Sequence, residues 1–243
     1  MLWRNRATGG AVDEEHVVVW ERPERGARGP AAVHSRAELA AVAVTLADRD
    51  GLAALSMRRL ATALGTGPAS LYRYVAGRED LLDLMTDAVT GEIDLDAPLG
   101  GDPVADLTAL ALRTRAVHLR HPWLSDVPPE PLRLGPRGLD YLEYAIRAMA
   151  DVELPGRAKT EAVALVNALV AQFARVEPRD GDGGDDRRAA RAGYLVRAAT
   201  AGNHPHLAAA LADDADVSPR ETTEELFERT MRRVIGGLLS DTR

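Results

Sequence analysis

The 243-residue chain contains no cysteine. That single absence excludes disulfides, thiolate nucleophiles and cysteine-ligated zinc or iron–sulfur centres, and it suits a reducing compartment. Aromatic residues make up only 4% of the chain. Strands draw on β-branched and aromatic side chains, so a chain rich in alanine and leucine favours packed helices, and 46% apolar content is enough for a proper core. No apolar run approaches the roughly 18 residues of a membrane span, and the first thirty residues carry acids without an export-type apolar stretch. A cytoplasmic, all-α protein with no membrane segment is expected. Enzyme signatures are missing too: there is no G-x-G-x-x-G, G-x-S-x-G or H-E-x-x-H, and Gly156-Arg-Ala-Lys159-Thr160 lacks the glycine that a phosphate loop places before its lysine. His118 and His121 stand one helical turn apart, but Pro122 ends the helix and no acid close in sequence completes a metal site. Neither catalysis nor a cofactor or metal is expected.

The charge is unevenly placed. The chain carries a net charge of −7, yet residues 35–78 hold six arginines (36, 49, 58, 59, 73 and 78) against Glu38, Asp48 and Asp50, while residues 1–34 balance to zero. A small basic module ahead of a large acidic one points to a polyanion at the front end.

Punctuation divides the chain into a flexible N-terminal extension (1–34), in which the short apolar run Val17-Val18-Val19-Trp20 offers a segment that can dock, a compact four-helix region and longer helices after Pro98. Ser35 caps a first helix with Leu39, Val42, Ala43 and Leu46 inward, ended by Asp50-Gly51; Ser56 caps a second, stopped by Gly65. Pro68 suits the first turn of a third, which Gly77 closes, and Arg78-Glu79-Asp80 opens a fourth. Beyond it, helices are predicted over 102–120, 138–151, 157–176, 187–201 and 222–239. The segment 180–186 mimics a calcium loop, but its twelfth position is Arg191 where a bidentate glutamate is required, so it reads as a mobile acidic loop.

Leu64-Gly65-Thr66-Gly67 between two short helices is a helix-turn-helix pattern. On a wheel at about 100° per residue, Leu71 and Val75 face the core, Ala69 and Arg73 point outward, and Ser70, Tyr72 and Tyr74 flank that outer face. Arginine bonds a guanine edge in two places, and tyrosine and serine hydroxyls hold phosphates. Arg58 and Arg78, starting the helices on either side, bracket the reader with backbone contacts.

The stretch "ELAAVAVTLADRDGLAALSMRRLATALGTGPASLYRYVAGREDLLDLM", residues 38–85, resembles the N-terminal domain of the TetR family of transcriptional repressors. The D-x-D-G-x-x-x-L-[ST]-x-R-x-L-A-x-x-L-G pattern, the S-L-Y-x-[YH]-V turn and the basic residue before E-x-L-L lie in the family's order. The resemblance implies that Arg58, Pro68, Ala69, Ser70, Tyr72, Arg73, Tyr74 and Arg78 occupy DNA-contact positions. It implies a helix-turn-helix DNA-binding domain over 35–80, followed by a C-terminal effector-binding and dimerisation domain over 81–243. Pro68 replaces a polar base reader of the tetracycline repressors, so their operator cannot be carried over. "LRTRAVHLRHPWLSDVPP", residues 112–129, resembles the tetracycline-repressor type of C-terminal domain, which forms a homodimer around a small-molecule pocket.

Within that half, Thr114 and His118 interrupt the stripe of Leu107, Leu110, Ala111 and Val117, and buried polar groups need partners. The pocket candidates are these two with Met85, Leu110, Trp123, Tyr141, Tyr144, Asn167 and Phe173. A homodimer is expected to bury the nearly all-apolar helix 161–176 and the last helix, through Leu226, Met231, Val234, Ile235 and Gly236-Gly237. The partners expected are a double-stranded DNA operator, pseudo-palindromic to match the two-fold symmetry, and a small-molecule effector that releases it. A regulator controlled by a protein partner instead stays open, because a filled bundle and a hollow one read alike; a helical enzyme is the remote alternative.

Overall fold

Two serines and two glycines set the first helices. In the computed structural model, which describes residues 17–22, 34–128, 133–177, 185–215 and 222–240, helix α1 (Arg36–Asp50) starts where Ser35 Oγ accepts the Glu38 amide. It ends at Gly51, whose φ of 79° suits only glycine at no steric cost. Helix α2 (Met57–Ala63) starts under Ser56, and Gly65 at φ 66° turns the chain toward α3 (Pro68–Leu71). Helix α4 (Arg78–Thr90) follows, and α1 lays its buried face of Leu39, Ala40, Ala43 and Ala47 along it.

Helix α3 is shorter than the sequence predicts. It stops at Leu71 instead of running toward Gly77, and the Tyr74 amide donates to Leu71 O at 2.9 Å in an i to i+3 pattern. That tighter winding eclipses residues three apart, so Tyr74 lines up with buried Leu71.

Within the N-terminal extension, the segment around the apolar run is docked. Val17 to Arg22 docks: Val19 is 0% exposed in a cluster with Ala40, Val75 and Leu84, flanked by Trp20 and Met57. Arg22 pairs with Asp80, and the Arg36 guanidinium donates to Arg22 O at 2.9 Å and to Tyr74 O at 3.1 Å. Residues 1–16 and 23–33 of the extension lie outside the described residues, as do 180–184 of the acidic loop read over 180–186, whose last two residues, Asp185 and Asp186, open a helix.

The same compact unit, residues 1–175 with 231–243, continues through α5 (Pro103–Arg120), capped by Asp102, a single 3₁₀ segment (Pro122–Asp126), α6 (Pro136–Ala148) and α7 (Gly156–Val176). The second unit, residues 176–230, holds α8 (Asp185–Thr200) packed on α9 (Pro205–Ala215), a helix the sequence reading does not anticipate. Helix α10 (Thr223–Ser240) opens with a capping box in which Thr222 Oγ1 accepts the Glu225 amide and Glu225 accepts the Thr222 amide. Met231 and Ile235, expected at a subunit seam, are already buried within the chain, whereas Leu226 and Gly237 are exposed. Leu165 on α7 is 52% exposed opposite the buried Val163, Val166 and Val170. No helix among the described residues is long and apolar enough to cross a membrane.

Val19 fills a closed apolar site, so a charge there undocks the segment. Val19→Asp is expected to lower stability by about 2 kcal/mol, bounded by the docking energy, measured as the urea midpoint against wild type.

Candidate functional site

Helix α3 stands on Leu71 and Val75, both fully buried, and turns Pro68, Ala69, Tyr72 and Arg73 outward, with Ser70 half-buried at the edge. Tyr72 is 57% exposed. Tyr74, expected beside it, is 3% exposed because of the tightened turn; its hydroxyl accepts the His34 amide at 3.3 Å. Arg73 lies with its guanidinium carbon 5.7 Å from the centre of the Tyr74 ring, so the buried ring steadies the outward cation.

The basic surplus shrinks once partners are assigned. Arg49 and Arg59 both pair with Asp50, and Arg36 serves backbone carbonyls. Arg78, predicted as a backbone-contacting cation, donates to Leu55 O at 2.9 Å and Leu52 O at 3.1 Å, tying α4 to the turn before α2. The Arg58 side chain is exposed and meets no acceptor among the described residues. Arg58 and Arg73 are therefore the guanidiniums of residues 35–78 that no acid or carbonyl engages.

A cavity of about 260 Å³ opens between α4, α5, α6 and α7. Of the residues proposed from sequence, Thr114, His118, Tyr141 and Asn167 line it together. Three of them form a chain: the Thr114 hydroxyl lies within reach of Leu110 O at 2.9 Å and of the Tyr141 hydroxyl at 3.4 Å, and the Tyr141 hydroxyl donates to Asn167 Oδ1 at 2.6 Å. Burial raises the pKa of Tyr141, keeping the phenol protonated as this chain requires.

The other pocket candidates sit elsewhere. Leu110 faces a tight apolar crevice with Val163 and Val166. Met85 is fully buried in the core and Phe173 is half-buried on α7; neither lines the cavity. Tyr144 donates to Ala97 O at 2.9 Å and is flanked by Arg113 and Arg147, so its ring anchors a loop. Trp123 donates to Asp48 Oδ1 at 2.7 Å.

Sequence reasoning missed Asp87, Arg133, Gly135 and Gly138 on the cavity wall. Asp87 lies 60° round the helix from Leu84, at the edge of the α4 stripe, which is the signal that it turns inward. Its Oδ1 accepts the Gly138 amide at 3.0 Å, and burial raises its pKa. A methyl group on Gly135 would overlap both Asp87 and the Trp20 ring, so the docked N-terminal segment reaches the wall.

His121 gathers acids that the sequence separates. Its Nδ1 lies 2.7 Å from Asp48 and its Nε2 3.1 Å from Glu92, so α5 is fastened to α1 and to the end of α4.

The domain pattern of bacterial regulatory proteins, tetR family, matches residues 39–85, and that of the tetracyclin repressor-like C-terminal domain matches residues 97–241. The chain belongs to the TetR family. Its helix-turn-helix match starts at Leu39 on α1 and ends at Met85 on α4, enclosing the outward face of α3. Among TetR-type relatives, the HTH-type transcriptional repressor DrrR1 of Streptomyces coeruleorubidus is 38% identical over 159 residues, 65% of this chain and 59% of that protein. An HTH-type transcriptional regulator of Saccharopolyspora erythraea is 37% identical over 54% of this chain and 56% of its own length. The matches thus span less than two thirds of the length of these two relatives. The Streptomyces coelicolor TetR family protein ActR in complex with actinorhodin superposes with a TM-score of 0.72 at 27% identity, covering 86% of this chain and 97% of that one. ActR in complex with (S)-DNPA gives 0.71, covering 87% and 100%.

In this TetR-family chain, burial, and to a smaller extent His121 nearby, lowers the pKa of His118 from 6.5 to about 4. The unfolded chain then binds the extra proton first as pH falls. The stability gained by holding His118 neutral is whole above pH 6.5 and is lost toward pH 4, with a full size on the order of 3 kcal/mol. His118→Leu is expected to remove this slope, seen as a flatter dependence of the urea midpoint between pH 7 and pH 4.

Proposed function

We propose that the chain is a homodimeric transcriptional repressor that holds a pseudo-palindromic operator through α3 and leaves it when a small molecule enters the cavity. The observation that carries this reading is the outward face of α3: Pro68, Ala69, Tyr72 and Arg73 point away from a buried Leu71 and Val75, with Arg58 unengaged beside them. A helix this short holds its shape only through packing, which leaves its far side for a partner. The family matches support a DNA-binding domain over 35–80 and an effector and dimerisation domain over 81–243. DrrR1 is a transcriptional repressor, and the actinorhodin and (S)-DNPA complexes of ActR support a small-molecule effector. The exposed Leu165 on α7 and Gly237 on α10 support a two-fold seam. Two copies then set their α3 helices about 34–36 Å apart, one turn of DNA. No catalytic step belongs to this function.

Footprinting on the promoter region of the gene itself is expected to show a palindromic protected site. Equal binding of that site and random DNA at physiological salt would overturn the reading.

Arg73→Ala is expected to relax base preference by about 1–3 kcal/mol, while Arg58→Ala weakens all sequences alike and flattens the salt dependence. Arg78→Ala should act first on thermal stability, because two carbonyls lose their donor. Titrations of operator and random duplex at several salt concentrations, with melting curves, separate the three. Likewise Tyr72→Phe is expected to weaken operator binding, and Tyr74→Phe to lower stability by about 1 kcal/mol with binding intact.

A further inference from the structure

The cavity holds more hydrogen-bond donors than its own walls can use. Tyr141 gives its proton to Asn167 Oδ1, which fixes the amide orientation and leaves the Nδ2 hydrogens without an acceptor among the described residues. His118 is the second donor. Its Nδ1 is enclosed with no partner, and an enclosed N–H without an acceptor costs more than an enclosed lone pair, so the proton belongs on Nε2. Nε2 is the ring nitrogen left to meet the cavity, and the lowered pKa keeps the ring neutral. Arg133 adds an enclosed Nε–H with no acceptor. Thr86, Thr90 and Thr114 turn their hydroxyls to helix carbonyls, and among the described residues no hydrogen bond joins their oxygens to Asn167 Nδ2 or His118.

The charges on the wall are already answered. Arg133 sends its terminal nitrogens to Asp83 at 2.6 Å and Glu79 at 2.9 Å, and Asp87 accepts the Gly138 amide while burial disfavours its charged form. A charged ligand would lose its hydration without finding a free counter-charge.

We propose that this cavity selects an uncharged compound through a carbonyl oxygen that accepts hydrogen bonds from Asn167 Nδ2 and His118 Nε2. The proposal rests on the effector reading above and adds the polarity of recognition. Tyr141 is a positioning residue in it, because its hydroxyl aims Asn167 without meeting the carbonyl.

Three flat compounds of one shape test it: 9-fluorenone carries a carbonyl, fluorene has no polar group, and 9-aminofluorene carries an ammonium donor. With the intact protein, calorimetric titration is expected to show fluorenone binding at least tenfold tighter than fluorene. Asn167→Asp keeps an oxygen for the Tyr141 hydroxyl but replaces the donor with an acceptor; it should erase the fluorenone advantage and make 9-aminofluorene the preferred compound. His118→Leu should reduce the fluorenone advantage at least threefold with fluorene unchanged. If Asn167→Asp does not fold, His118→Leu decides alone. Fluorenone and fluorene binding alike to wild type, or a ketone preference that survives the substitutions, overturns donor recognition and leaves the effector cavity standing. Failure of all three compounds to bind overturns the cavity reading with it.

Discussion

One imidazole joins the helices that read to the helices that enclose. His121 ends α5 with both ring nitrogens on carboxylates, Asp48 from α1 and Glu92 just past α4, and Trp123 adds a second bond to the same Asp48 oxygen. With Arg120 also on Glu92, the end of α5 is pinned at several points. His118 lies one turn back on the same helix, on the cavity wall. A ligand that draws His118 therefore pulls on a helix whose next turn grips α1. Interior packing transmits such shifts because close-packed groups move between discrete fits and do not yield gradually.

A second tie runs along the opposite edge. The docked N-terminal segment seats Val19 between α1, α4 and Val75, just past the reading helix, while Trp20 closes over Gly135 beside Asp87. Arg22 pairs with Asp80, which also accepts the Ala76 amide at the start of α4. Gly135 thus matters for what it lacks: a side chain there would compete with Asp87 and Trp20 for the same space, whereas one on Gly138 would press on Leu134.

What the sequence made legible was what short-range chemistry decides. Ser35, Ser56, Gly51 and Gly65 mark helix ends because caps and positive φ act within four residues, and Leu71 with Val75 keep their inward phase. Thr114, His118, Tyr141 and Asn167 were legible as polar breaks in apolar stripes or as rings beside them, and they do meet at one cavity. Three of the misses have distant partners. Arg78 finds Leu52 and Leu55, Trp123 finds Asp48, and Tyr144 finds Ala97, contacts that no local period encodes. Tyr74 went astray because α3 tightened after one turn, and the apolar run at Val19 marks a segment that can dock without naming the helices that receive it.

The assignment of arginines also bears on how the proposed repressor is released. In the proposed dimer, Arg58 and Arg73 are the cations of each head that no acid or carbonyl engages among the described residues, and two heads together double the phosphate contacts of one. Tight binding then depends on two heads reaching both half-sites of an operator at once. When affinity is shared in this way, the ligand need not strip each contact. Shifting the spacing enough to disengage one head forfeits the gain from linking the two, and a coupling of about 1–3 kcal/mol is enough to tip the balance. A small donor-rich cavity with one or two hydrogen bonds to offer supplies energy on that scale, provided the bonds form in only one of the two spacings.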